Sequence, residues 1–305
     1  MMRSLYSAIS GLKNHQVKMD VIGNNIANVN TTGFKRSRVT FATTLSQTLK
    51  GASTPSPTLG GSNPMQIGMG SMLGSIDQIM TQGSTQSTGK ATDMLVEGPG
   101  FFVLDNNGTV YSRSGAFTLD EVGNLTDPGT GAKVKGVMFS AAPVSPTITA
   151  TTALVPIIIK KESGLYNAAA TPGGPALDSY TIDQRGVITG VYITPATVGP
   201  PAVPATSQTA QIGQIAVATF SNDSGLENIG NSFYRDTNNS GQPTVGEAGS
   251  TGHGTIVPGA VEMSNVDLSQ EFTDMIVAQR GFQANSRVIT VSDSLLQELI
   301  DLKRN

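Results

Sequence analysis

Residues 268–300 read LSQEFTDMIVAQRGFQANSRVITVSDSLLQELI, and their spacing decides the fold class. Leu268, Phe272, Met275, Phe282, Ile289, Leu296 and Ile300 fall on alternating steps of four and three residues. Gln279, Ser286 and Asp293 hold the remaining rungs. Such a ladder is one seam along a helix, and a seam requires a partner helix. The other end of the chain has the same character. Leu5, Ile9, Leu12, Met19, Ile22, Ile26 and Val29 are separated by combinations of three and four, which places one apolar stripe on a helix over residues 4–29. Two such helices predict that the termini pair with each other or with copies of themselves.

Charge supports the pairing. Residues 1–50 carry seven Lys/Arg against one acid, Asp20, whereas residues 262–305 carry seven acids against four bases. Opposite signs favour association and register. A basic N-terminal arm also fits nucleic acid or a membrane surface, but no aromatic residues interleave with it and the whole chain has net charge −3. Nucleic acid is therefore not expected as a partner. No apolar run approaches a bilayer span, so no membrane insertion is expected either. The N-terminus lacks a secretory apolar core, which on sequence alone reads as cytoplasmic unless another export route exists.

Composition bounds the middle of the chain. Only 13% of the 305 residues are charged, which predicts a neutral surface that meets neighbours. Cysteine and tryptophan are absent, which excludes disulfides, thiolate metal sites and cysteine nucleophiles. With 35 Gly and 16 Pro, turn-rich β structure is expected between the helices. Gly23, Asn24, Asn25, Asn28, Asn30 and Gly33 end the first helix. Residues 34–50 extend or resume helix, and residues 51–75 read as an extended linker. Phe101-Phe102-Val103-Leu104, then Asn107-Gly108, then Thr109-Val110-Tyr111 read as a hairpin with a tight turn. Residues 141–211 hold nine of the prolines and few charges, as expected of a small β insert on flexible connections. Residues 212–220 return to the first β region, and polar caps at Asn265–Asp267 precede the last helix.

Candidate chemistry is sparse. His15 and His253 stand in no histidine motif. Asp236 to Glu247 has EF-hand spacing apart from Ser240, but the flanks lack helical pattern, so a polar turn is expected. Gly68, Gly70 and Gly74 do not form a dinucleotide fingerprint. No nucleophile–base pair, metal cluster or cofactor loop appears. No catalytic, cofactor or metal residue is assigned, and an enzyme is not expected. A secreted calcium- or carbohydrate-binding β module is the rival reading, but it leaves the terminal ladders unexplained.

Several motifs resemble the bacterial flagellar rod and hook protein family. They are Gly23 to Lys35 (GNNIANVNTTGFK, with Asn25, Ala27, Asn28, Asn30, Gly33 and Phe34), Gly98 to Leu104 (GPGFFVL, with Gly100, Phe101 and Phe102), Tyr111 to Phe117, Ser264 to Phe272, and Ile276 to Ser286 with Gln279 and Arg280. The resemblance covers both termini and the first β region. The last stretch, with Leu296-Gln297-Glu298-Leu299 and Leu302-Lys303-Arg304, is more similar to the hook member than to the distal rod member, in which Ala-Tyr usually follows Gln-Arg where this chain has Gly281-Phe282.

The resemblance implies an α+β fold in three parts. Residues 1–70 with 263–305 form a helical coiled-coil assembly domain lining a hollow tube. Residues 71–140 with 212–262 form a β-rich wall, and residues 141–211 an outer β insert. It implies a homopolymer acting as a flexible joint that transmits torque, or alternatively a distal rod subunit. The implied partners are other axial proteins (rod, hook cap, hook–filament junction) and the flagellar export apparatus. Export without a cleavable signal then places the chain outside the cell. The expected assembly interface is Leu5, Ile9, Leu12, Met19, Ile26, Leu268, Phe272, Met275, Phe282, Ile289, Leu296 and Ile300.

Overall fold

Asp267 opens the C-terminal helix. Its Oδ1 accepts hydrogen bonds from the backbone N–H of Ser269 (2.9 Å) and of Gln270 (3.4 Å), satisfying donors that the first turn leaves free. The computed structural model describes residues 2–55, 57, 60–139, 153–159, 176–194 and 206–304. In it α1 spans Met2–Ala27 and α2 spans Leu268–Arg304. Past the end of α1, the Asn28 amide donates to the Asn24 carbonyl (2.9 Å) and to its side-chain oxygen (3.0 Å), closing the last turn. Helices at both termini and a mainly β centre make the chain α+β.

The residues divide into two compact units. The helical unit comprises Met1–Val29, Arg36–Ile79 and Val266–Asn305; the β-rich unit comprises Asn30–Lys35 and Met80–Asn265. Beside its two helices the helical unit holds four strands among its described residues. β1 (Ser37–Thr43) pairs antiparallel with β4 (Ser71–Gln78), and β2 (Ser46–Lys50) pairs with β3 (Met65–Gly68). The expected linker over 51–75 therefore carries β3 and the start of β4. Its Gly, Ser and Pro lie between and beside short strands whose partners come from residues 37–50. Because β4 pairs with β1, residues 71–78 stay with the helices, whereas residues 30–35 belong with the β-rich unit.

In the β-rich unit one large antiparallel sheet runs in the order 176–182, 187–194, 206–219, 133–138, 101–105, 109–112, 233–235, 227–230. The run Phe101-Phe102-Val103-Leu104 is fully buried, with Phe101 and Val103 in one apolar cluster and Phe102 and Leu104 in another. A strand covered on both faces reads as a continuous apolar run rather than an alternating one. Fully burying each such side chain contributes about 1.5–3 kcal/mol. The hairpin turn differs from the tight Asn-Gly turn expected. Asp105 pairs with Thr109, so residues 106–108 form a three-residue loop with Asn107 at φ 53°. The described strands of the expected insert, 176–182 and 187–194, continue the main sheet beside 206–219, and Ile182, Ile188 and Ile212 join its core. The rest of that insert, 141–152, 160–175 and 195–205, lies outside the described residues.

Tyr111 and Tyr234 face each other across adjacent strands, and both are buried. Burial pushes both phenols up to about 12, aided at Tyr111 by nearby Asp236. An ordinary phenol titrates near 10, so the fold favours the protonated form. That stability is complete below pH ~10 and is lost as pH rises through ~12, at about 2–3 kcal/mol per ring. Alkaline unfolding followed by tyrosinate absorbance should begin in this window. Tyr111→Phe with Tyr234→Phe should flatten the dependence, provided both variants fold.

Candidate functional site

The helical unit is built around an antiparallel pair. Gly11 of α1 lies against Asn285 of α2, and Gly281 of α2 lies against His15 of α1. A methyl group added at Gly281 would sit 2.5 Å from the imidazole Cε1, and one added at Gly11 would sit 2.7 Å from Asn285 Nδ2. Each glycine thus receives the larger side chain of the opposite helix, which fixes the register. Farther along, Lys18 Nζ pairs with Asp274 (3.1 Å) and Arg36 with Glu271 (3.9 Å), joining the basic N-terminal segment to the acidic C-terminal one. A hydrogen bond from Gln270, followed by the nearby Lys18 ammonium, holds the Asp274 carboxyl below its ordinary range. Partly exposed pairs of this kind contribute at most about 1 kcal/mol, so they set register more than stability.

Asn25 carries more. It is buried, its amide donates to the Ser37 carbonyl (2.9 Å) and to Glu271 Oε2 (3.2 Å), and its Oδ1 accepts from the Ser37 N–H (3.0 Å). One side chain thereby ties α1, β1 and α2 together. This explains an asparagine in the signature stretch at a place where an apolar residue would leave three polar groups unpaired.

Of the expected interface residues, Leu5, Ile9, Leu12, Met19, Ile26, Met275, Ile289 and Leu296 are half-buried, and Leu268, Phe272, Phe282 and Ile300 are exposed. The residues that bury most completely are different ones: Ala8, Ile22, Asn25, Glu271, Ala278 and Ser292. Small side chains at Ala8, Ala278 and Ser292 let the helices approach. Spacing arguments that count only large apolar residues pass over them.

The other signature residues divide by role. Gly33 has φ 68°, and a side chain there would meet the Ser114 backbone N at 2.6 Å, so glycine is required. Gly100 has φ 138° and lies against Val217. Phe101 and Phe102 are core. Phe34 is half-buried, and Asn30, Ala27, Gln279 and Arg280 are exposed.

A second ladder on α2 is uncovered. Val277, Ala284, Val288, Val291, Leu295, Glu298 and Leu302 lie on steps of seven, four and three, broken where Gly281 faces His15, and Val277, Val288, Val291, Leu295 and Leu302 are all exposed. The β2–β3 pair adds a second such face. Gln47 pairs with Ile67, so Leu45, Leu49, Met65, Ile67 and Met69 share its apolar side, and all five are exposed. Among the described residues, every exposed large hydrophobic side chain except Val122, Ile193 and Ile229 belongs to the helical unit. Exposed apolar patches of this kind occur at interaction surfaces and ligand grooves.

The Asp236–Glu247 segment is a polar turn over 236–243, after strand 233–235, that runs into strand 244–247. Ser240 is buried and its Oγ accepts from the Thr237 N–H at 2.9 Å. Among the described residues no group of three or more His, Cys, Asp or Glu is placed to hold a metal ion. His253 contacts Ser250 Oγ and the Thr244 carbonyl, far in sequence from His15. No described helix is long and apolar enough to cross a membrane.

Three family models match this chain: Flagella basal body rod protein over residues 5–35, Flagellar hook protein FlgE/F/G D1 domain over 95–190, and Flagellar basal body rod FlgEFG protein C-terminal over 257–302. It is 44% identical over 306 residues to the flagellar basal-body rod protein FlgG of Bacillus subtilis, covering all of both chains. It is 34% identical over 308 residues to FlgG of Borreliella burgdorferi, again with both covered completely. To the flagellar hook protein FlgE of the same organism it is 32% identical over 453 aligned residues, with 99% of this chain and all of the relative covered.

Asn25→Ala should lower helical-unit stability by about 2–3 kcal/mol, because it strands the Ser37 backbone groups and Glu271. Thermal unfolding followed by far-ultraviolet circular dichroism measures the loss. A melting curve matching the parent would refute the clasp.

Proposed function

The chain belongs to the flagellar hook and rod protein family, and on that premise we propose that it is a structural subunit that polymerises into a hollow helical axial tube. The carrying observation is the concentration of exposed apolar surface on the helical unit, above all the second ladder on α2. A head-to-tail contact that does not close makes a helical filament. The half-covered seam and the uncovered ladder give α2 two faces, one for α1 and one for neighbouring copies. In this reading the helices form a coiled-coil inner layer, the β-rich unit the wall, and residues 141–211 the outer surface. The partners are copies of itself, adjoining rod, hook-cap and junction proteins, and the export apparatus that delivers it outside the cell.

Between the two tube types, length favours the distal rod. The 306-residue match to the rod protein of Bacillus subtilis needs almost no gap in either chain, whereas the 453-residue match to a hook protein sets this 305-residue chain against a much longer one. The hook reading, a flexible joint that transmits motor torque, is supported by Gly281-Phe282 after Gln279-Arg280. Gly281 is also the residue that accommodates His15, so that dipeptide has a role inside the helix pair in either tube.

Two neighbouring substitutions test the proposal. Leu295 is exposed and Leu296 half-buried. Leu295→Asp should leave the monomer's melting temperature unchanged and abolish tubes in negative-stain electron microscopy. Leu296→Asp should also weaken the helix pair by about 2 kcal/mol or more. Normal tubes from Leu295→Asp would sink the uncovered ladder as an interface. Straight tubes from the parent protein would favour rod, and curved ones hook.

A further inference from the structure

The chain passes between its two units four times, after Val29, Lys35, Ile79 and Asn265. On the β-rich side, the segments adjoining those passages are 30–35, 80–83 and 262–265, far apart in sequence. All three are fastened to one side chain or its partner. Glu262 Oε1 accepts from Lys35 Nζ at 2.6 Å and from the Gly83 N–H at 2.8 Å. Lys35 Nζ also donates to the Thr81 carbonyl at 2.8 Å. The Gly33 N–H donates to the Glu262 carbonyl at 2.8 Å, and the Asn265 amide donates to the Thr81 carbonyl and hydroxyl at 3.0 Å each. Arg113 Nη1 stands 3.6 Å from Glu262 Oε2, and the guanidinium carbon Cζ lies over the Phe101 ring, 5.0 Å from its centre.

The side chains of Lys35 and Glu262 are completely buried, and Arg113 nearly so. Burial pulls the Lys35 ammonium and the Arg113 guanidinium below their ordinary pKa, while Glu262 opposes the shift at both. Replacing such a pair with apolar residues is often neutral for stability, but removing one partner leaves a buried charge without its counterpart. The pair therefore makes the positions of its segments conditional on one another. Withdrawing 30–35 strands Glu262; withdrawing 262–265 strands Lys35 and Arg113; withdrawing 80–83 removes acceptors from Lys35 and Asn265 and a donor from Glu262.

We propose that Lys35–Glu262 is a positioning lock that joins the three segments into one cooperative unit, so that all four chain passages are held or released together. A pull on any one of them is then shared by all. The lock is a property of the single chain and holds whether the polymer is a rod, a hook or neither.

Native-state hydrogen exchange on the full-length monomer tests it. In the parent protein the amides of Gly33, Gly83, Met263 and Asn265 should share one opening equilibrium, distinct from that of Phe102 and Val217 in the core. In Glu262→Gln all four should exchange faster together, by at least about tenfold, with the core amides unchanged. Lys35→Met should give the same joint response. Four unrelated rates in the parent overturn the proposal even if neither variant folds. So does acceleration confined to Gly83, or equal acceleration of the core, which marks general destabilisation.

Discussion

Apolar burial is divided unequally along this chain, and the rest of the structure follows from that division. The β-rich unit covers its own core, with Phe101, Phe102, Leu104, Ile215 and Val217 wholly enclosed. In the helical unit only Ala8, Ile22 and Ala278 among the described apolar side chains are buried, and of these only Ala278 is wholly enclosed. Hydrophobic stabilisation scales with area removed from water. The first unit is therefore equipped to stand alone, whereas the second keeps most of its apolar surface in water until something covers it. The 37-residue α2 carries two apolar ladders, and α1 covers only one of them.

Where apolar burial is thin, polar groups supply the specificity. Asn25 clamps α1, β1 and α2 with three hydrogen bonds. The reciprocal fits of Gly11 with Asn285 and His15 with Gly281 mark one register, and two ion pairs reinforce it. In the β-rich unit the buried Lys35–Glu262 pair does the same for the segments that lead out of it. Such contacts contribute modest net stability and high discrimination, which suits surfaces that must align before copies meet.

The helices and the central strands were legible in the sequence because each has a strong local period. The four-three steps of α1 and α2, the Asp267 cap and the continuous run at Phe101–Leu104 are signals within a few residues of one another. The ribbon over 37–78 was not legible. β2 and β3 are short, the intervening Gly, Ser and Pro imitate a linker, and the pairing of β1 with β4 spans a long separation that composition does not record. The site was legible by half. The ladder with Met275, Ile289 and Leu296 was visible, but the small residues that permit close approach carry no hydrophobic signal. The second ladder is interrupted by Gly281 and Glu298. Lys35 stood inside the signature stretch, yet nothing local announces a partner 227 residues away.

The absence of cysteine allows one label to be placed at will. The most direct test of the account compares thiol labelling of Val291→Cys, on the uncovered ladder, in dispersed and in polymerised protein, with Val122→Cys in the β-rich unit as reference. Fast labelling of position 291 in the monomer and strong protection in the polymer, relative to position 122, is the predicted result. Equal labelling of position 291 in both states would contradict the claim that copies of the chain cover this face.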